Sequence, residues 1–212
     1  MMKGGDGVYT RLTSQGIAHG TETFTLHVAA SLMAIAMQEA REAGKPVTSG
    51  LGLETWELRA LFLDLFPGAT DVLEDVLGEP GEPETDERAL REILWYHASD
   101  IGTFERMLVK MIARRCQRPN HLWQDLGLGN RRQLSLLMQR YFPTLASRNA
   151  SDMKWKKFFY RTMCTSTGFA ICTAPVCSQC DDFDACFGPE DGESLLAAVR
   201  NDRPIKPWEV GL

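Results

Sequence analysis

Four cysteines, Cys172, Cys177, Cys180 and Cys186, stand in the spacing C-x4-C-x2-C-x5-C within the stretch CTAPVCSQCDDFDACFG. Four thiols in so short a length of chain can converge on one inorganic centre. The x2 step from Cys177 to Cys180 suits a tight turn that aims two sulfurs inward while backbone N–H groups line the concavity, a setting that favours anionic metal–sulfur groups. Pro175 stiffens the approach by fixing its own φ. A multi-metal cluster accepts ligands at wide and uneven spacings, whereas a lone tetrahedral zinc is commonly held by two paired knuckles, and a single x2 pair is present. The opening C-x4-C-x2-C also matches part of the plant-type ferredoxin pattern. Spacing therefore favours an iron–sulfur centre and leaves a structural zinc or redox thiols open. Asp181, Asp182 and Asp184 read as turn and cap residues, because carboxylates beside an anionic cluster disfavour it unless they face water.

The other candidate ligands carry weaker signals. Cys164 precedes the cluster on a helix and reads as a small apolar residue, with an auxiliary ligand or transient acceptor as the alternative. Cys116 carries less still. His121, beside Leu122 and Trp123 at the start of a helical turn, reads as a packing or capping residue before a ligand. Neither a nucleophile–base pair, nor a phosphate loop, nor a metal-hydrolase motif is found, so an ordinary catalyst is not expected.

The elements that must position these cysteines are helical, since apolar residues recur three and four apart and alternating β-branched runs are hard to find. The fold expected is mainly α, a helical bundle with a short C-terminal cysteine-rich loop at residues 172–186. One helix is expected from Thr23 to Glu42, with Leu26, Ala30, Met33 and Met37 on one face and Gly44-Lys45-Pro46 ending it. A second carries Trp56, Leu58, Leu61, Phe62, Leu65 and Phe66 up to Pro67-Gly68, and a short third follows Thr70. GEPGEPET, residues 78–85, offers nothing apolar to bury and reads as an exposed linker between a lobe at 1–77 and a lobe at 86–212 of one domain. Thr85 then caps a helix through Leu90, Ile93 and Leu94. The next helix spans Asp100 to Cys116, burying Ile101, Phe104, Leu108, Met111 and Ile112 and exposing Lys110, Arg114 and Arg115. Asn130 and Gln133 form a capping box before Leu134, Leu137, Met138 and Tyr141. The last long helix runs from about Ser151 to Gly168, its Lys154, Lys156, Lys157 and Arg161 reading as a solvated face and its Trp155, Phe158 and Phe159, with Phe169, as packing around the cysteines. The stretch RPIKPWEVGL with Trp208 reads as a loose tail or docking segment.

Composition limits the partners. With 212 residues and a formal net charge of -5, the chain has no overall positive field for nucleic acid or anionic membranes. No stretch approaches the roughly 18 uncharged apolar residues of a membrane span, and no apolar leader is evident, so a cytoplasmic protein is expected. Six cysteines in a reducing compartment point to metal or redox chemistry rather than disulfides.

Three stretches, PNHLWQDLGLGNRRQLSLLMQRYFP (119–143), NASDMKWKKFFYR (149–161) and GFAICTAPVCSQCDDFDACFG (168–188), resemble the NifQ family, associated with molybdenum supply for the nitrogenase iron–molybdenum cofactor. The N-terminal half resembles it more loosely. The resemblance implies that Cys172, Cys177, Cys180 and Cys186 hold an iron–sulfur cluster, of 4Fe–4S type or a precursor, able to include molybdenum. It further implies a metallochaperone that takes its cluster from an iron–sulfur donor and its molybdenum from molybdate or another source. The partners implied are the scaffold that assembles the cofactor and the nitrogenase reductase. Thiolate and sulfide are soft ligands suited to such clusters, and oxygen-bound molybdate matches a bare cysteine loop poorly, so molybdenum is expected to enter a cluster already formed. A ferredoxin-like electron carrier and a zinc-stabilised interaction module are the rival readings.

Overall fold

The structure is a computed structural model that describes residues 5–74, 76–99 and 102–167 together with Cys186, Glu190 and Ser194. Ten α-helices and one 3-10 turn make up the described fold: α1 Gly5–His19, α2 Thr23–Ala43, α3 Val47–Leu51, α4 Thr55–Leu65, the 3-10 turn Pro67–Leu73, α5 Thr85–Tyr96, α6 Thr103–Cys116, α7 Leu122–Asp125, α8 Arg131–Tyr141, α9 Pro143–Arg148 and α10 Trp155–Thr167. The mainly α expectation holds. Among the described residues no helix is long and apolar enough to cross a membrane.

The central element is α2. Its Glu22 carboxylate caps the amides of Phe24 and Thr25, and Gly44 ends it in the left-handed region that glycine adopts without a Cβ penalty. Alanines alternate with larger apolar residues in AASLMAIAM, so neighbours approach closely on several sides, and every residue from Val28 to Met37 is buried. A single hydrophobic cluster extends from Val8 and Leu12 of α1, through α2, α4 and α6, to Phe158, Phe159 and Met163 of α10.

Several sequence-based expectations change in detail. The expected short helix after Thr70 is a 3-10 turn that begins at Pro67, whose missing N–H is harmless at a first helical position. Trp56, placed among the apolar residues of α4, is 67% exposed. Thr85 is the first residue of α5, with Glu84 at the cap position, and α6 starts at Thr103, with Asp100 and Ile101 outside the described residues. Between Leu77 and Thr85 the chain forms no helix, but Pro80 is buried and the Gly78 carbonyl accepts the hydroxyls of Thr48 and Thr55. The capping box at Asn130 is half formed: Asn130 accepts the Gln133 amide, while the Gln133 side chain accepts the Gly129 amide instead.

The largest correction concerns the basic end of α6. Arg114 donates to Glu87 and to the carbonyls of Ser49, Pro80 and Gly81, and Lys110 reaches Glu57 at 2.6 Å. Arg115 has no exposed surface: its Nη1 and Nη2 meet the two oxygens of Glu39 at 2.6 and 3.0 Å, and its Nε donates to the Asp125 carbonyl at 2.6 Å. A buried guanidinium is tolerable only when its donors are matched in this way. Replacing Arg115 by alanine opens the core, frees the Asp125 carbonyl and leaves Glu39 with Arg118 as its remaining cation, so Arg115→Ala should lower unfolding free energy by about 3 kcal/mol, read by urea denaturation.

Candidate metal centre

The frame begins at the turn into α10. The Asn149 side chain bonds both the carbonyl and the amide of Met153, each at 2.9 Å, closing the loop on itself. Asp152 sits at φ 51, a left-handed conformation that Asp tolerates better than most residues. From α8, Arg131 Nη2 donates to the Asp152 carbonyl and carboxylate at 2.8 and 2.9 Å and to the Met153 carbonyl at 3.1 Å. The next residue, Lys154, gives its amide to the Cys186 carbonyl at 2.8 Å. The fourth cysteine of the motif is thereby fastened to the start of the helix that leads into the motif.

The chain beyond the cysteines is held by the same arginine. Arg131 Nη1 bonds Glu190, whose side chain is 4% exposed, and His121 Nδ1 lies 3.4 Å from the other Glu190 oxygen. Burial works to raise the Glu190 pKa, but the bonds from His121 and Arg131 outweigh it and hold the carboxyl below its ordinary value. Burial likewise opposes the charge on Arg131, and Asp152 and Glu190 overcome it. Ser194 adds a weaker contact, Oγ to the Leu128 carbonyl at 3.4 Å. One guanidinium thus ties down the chain on both sides of the cysteine segment.

The word HLWQDLGL supplies the surface on which this frame rests. His121 occupies the cap position of α7, and its amide donates to the Gln124 side chain at 3.2 Å, so the capping role expected for it is observed together with the Glu190 contact. Leu122, Trp123, Leu126 and Leu128 enter the core. Asp125 has no exposed surface; Asn120 meets one of its oxygens at 2.9 Å and Lys156 Nζ the other at 2.6 Å. Lys156 also bonds the Arg118 carbonyl, so it joins α10 to α7 instead of belonging to a solvated face. Gly127, at φ 73, is required sterically, because a Cβ there would stand 2.9 Å from the Ser31 carbonyl oxygen of α2.

Of the four motif cysteines, Cys186 is described: it is half-buried and packs against the core cluster. Cys172, Cys177 and Cys180 lie outside the described residues, as do Asp181, Asp182, Asp184, Phe169 and Trp208. Cys164 falls within α10, its side chain outside what is described. Cys116 is enclosed in the core, where burial pushes its thiol up to about 12, far from the thiolate a metal needs. Among the described residues no three His, Cys, Asp or Glu side chains gather as a metal site. A cavity of about 450 Å³ between α2, α3 and α6 is lined by Glu39, Lys45, Glu84, Arg114 and Arg118 among others, with no thiol or imidazole.

Trp155, Phe158 and Phe159 do pack together, Trp155 with ring centroids 5.7 Å from each phenylalanine. A feature that sequence reasoning missed is polar: the indole N–H groups of Trp123 and Trp155 are buried without a partner. An unpaired buried donor costs about 1–3 kcal/mol, and nothing in the letter W signals it. Cys186, a soft donor at the margin of an apolar core, is compatible with a metal–sulfur group.

The sequence profile of the NifQ family matches residues 28–188. The chain is 40% identical over 174 residues to the NifQ homolog of Sinorhizobium fredii, covering 81% of this chain and 75% of that one. To the NifQ protein of Rhodobacter capsulatus it is 36% identical over 159 residues, 75% of this chain and 87% of that protein. To that of Klebsiella pneumoniae it is 52% identical over 69 residues, 32% of this chain and 41% of that protein. No solved structure matches the chain.

Two outcomes follow from the geometry. A carboxyl whose pKa is lowered by folding stabilises the fold above its unfolded pKa and ceases to do so as pH falls through the folded one. Glu190→Gln should therefore cost about 1–3 kcal/mol at neutral pH, and the difference from the parent should shrink as the pH falls below the ordinary glutamate range and through the lowered folded pKa, read by denaturation at several pH values. Cys116 should resist iodoacetamide in the native chain at pH 8 and react only after denaturation, as peptide mass spectrometry will show.

Proposed function

Because the chain belongs to the NifQ family of nitrogen-fixation proteins, we propose that it is a cytoplasmic carrier of molybdenum within an iron–sulfur cluster, acting as a donor and not as a catalyst. Cys172, Cys177, Cys180 and Cys186 are the ligands. The reading is carried by their spacing, which falls inside the family match, and it is supported by the anchoring of Cys186 to the α10 entrance through Lys154.

The cargo is the mixed-metal cluster. Thiolates suit its irons, and because each must lose a proton to bind, loading is favoured as pH rises toward the thiol range. A cuboidal cargo of three irons and one molybdenum engages three thiolates through iron, which leaves the molybdenum corner open for entry and surrender. An iron–sulfur donor supplies the core, molybdate or another molybdenum source the heavy metal, and the recipient is the scaffold that assembles the nitrogenase cofactor, working with the nitrogenase reductase. The clamp of Arg131 on Asp152 and Glu190 leaves the body of the protein to hold the cysteine segment at both ends during transfer.

Anaerobic purification with analysis of iron, molybdenum, zinc and sulfide tests this. The parent chain should hold iron, sulfide and molybdenum, and should lose molybdenum to the scaffold on mixing. Cys180→Ala should lose the metals while keeping its helical circular dichroism. A chain that held zinc alone, or stayed colourless after reconstitution with iron and sulfide, would refute the reading. Redox cycling with no net loss of metal would mark an electron carrier instead.

A further inference from the structure

We propose that Tyr96, His97 and Arg148 form a docking surface for a carboxylate-bearing segment of the recipient protein; the inference rests on the reading that the chain hands its metal to another protein. Tyr96 ends α5 and is 84% exposed, more than any other large apolar side chain among the described residues. The His97 ring meets it edge on, with centroids 5.1 Å apart and an interplanar angle of 90°. Arg148, at the end of α9, donates its Nη1 to His97 Nε2 at 3.3 Å. A guanidinium can only donate, so Nε2 is the bare nitrogen and Nδ1–H donates to the Thr144 hydroxyl at 2.8 Å. The imidazole is therefore neutral, and burial together with the Arg148 charge holds its pKa below the ordinary value.

The row differs from the other arginine contacts of the fold. Arg11, Arg91, Arg118, Arg131 and Arg140 each meet a carboxylate of this chain. Arg148 meets none among the described residues; its partner is an uncharged ring, which orders the guanidinium and leaves its charge in place. Side chains ordered before binding lose less entropy on association, and Tyr and Arg are the types that dominate interface energetics. An ordered cation beside an exposed ring fits a partner that presents Asp or Glu next to an apolar residue. The chain as a whole, at net charge -5, repels an acidic partner, so the row also fixes where such a partner lands. Its position suits transfer. Asn149 follows Arg148 and bonds the carbonyl and amide of Met153, and the next residue, Lys154, holds the Cys186 carbonyl. Six residues span at most about 22 Å, and a standard interface of about 800 Å² per partner is roughly 30 Å across. One docked partner is wide enough to cover the row and the anchored end of the cysteine motif.

The test uses the full chain, loaded anaerobically, beside Tyr96→Ala, Arg148→Glu and Arg148→Lys, with the assembly scaffold as the probe. Equilibrium binding and molybdenum transfer are both measured against scaffold concentration. Tyr96→Ala and Arg148→Glu should keep the parent's metal content and helical circular dichroism and bind about 10-fold more weakly. The half-saturating scaffold concentration should rise in step, with the transfer rate at saturation unchanged. Arg148→Lys should lose less than Arg148→Glu because it keeps the charge, and added salt should weaken the parent more steeply than Arg148→Glu. Arg59→Gln, which removes an exposed cation of α4, should change nothing. Unchanged binding in either Tyr96→Ala or Arg148→Glu, or an equal loss in Arg59→Gln, overturns the proposal. A dimer of the chain alone that Tyr96→Ala dissolves would overturn it too, by giving the surface to a second copy. A parent that binds the scaffold but gives up no molybdenum refutes the donor reading, while the binding constants still decide the docking surface; a parent that does not bind refutes both.

Discussion

Asp125 carries a carboxylate with no exposed surface, and such a charge persists in a protein interior only when it is surrounded by donors. Here Lys156 and Asn120 meet its oxygens while its carbonyl accepts Arg115. Each of those partners comes from a different place: α10, the turn before α7, and α6. The seating of α10 on the body is therefore set by an electrostatic requirement as much as by apolar packing. Arg115 also pairs with Glu39 of α2, so a run of charged side chains, joined through the Asp125 carbonyl, leads from the central helix to α10.

Sequence periodicity located α2, α4, α5, α6, α8 and α10, because each has an apolar stripe long enough to repeat. It missed α1, where Val8 and Leu12 are the buried apolar positions, and α3 and α9, whose five and six residues are too few to establish a period. Charge was read less well than hydrophobicity. Arg115 and Lys156 look like a solvated face in one dimension, since their partners Glu39 and Asp125 are remote in sequence or lie on another helix. The family words were legible as words, but their physical content emerges from the fold: the D of HLWQDLGL and the second K of MKWKKFFYR are partners, and the G after DL is the position where α2 passes too close for a side chain.

The cysteines show how burial sorts residues of one chemical type. Cys116, at the end of α6, is surrounded by core atoms and kept a neutral thiol, a packing residue in effect. Cys186 is only half-buried, with its backbone fixed and its side chain at the margin of the core. Spacing along the chain separates the same two classes, since Cys116 stands far from its fellows and Cys186 closes a tight group of four. What spacing cannot convey is the polarity of the core itself, where aromatic residues that look alike in a hydropathy plot differ by one N–H.

The burial of α2 on nearly every side has a consequence for how the chain can be divided. Thr25 reaches the Tyr141 hydroxyl, His27 reaches Gln133, and Glu39 reaches Arg115, so a helix from the first fifth of the protein is bonded into the half that carries the thiols. A fragment beginning after residue 78 would retain every cysteine of the motif yet have a trough where its axle should be. The stretch that looks like a detachable cysteine module is better regarded as the rim of a wheel whose hub was synthesised first.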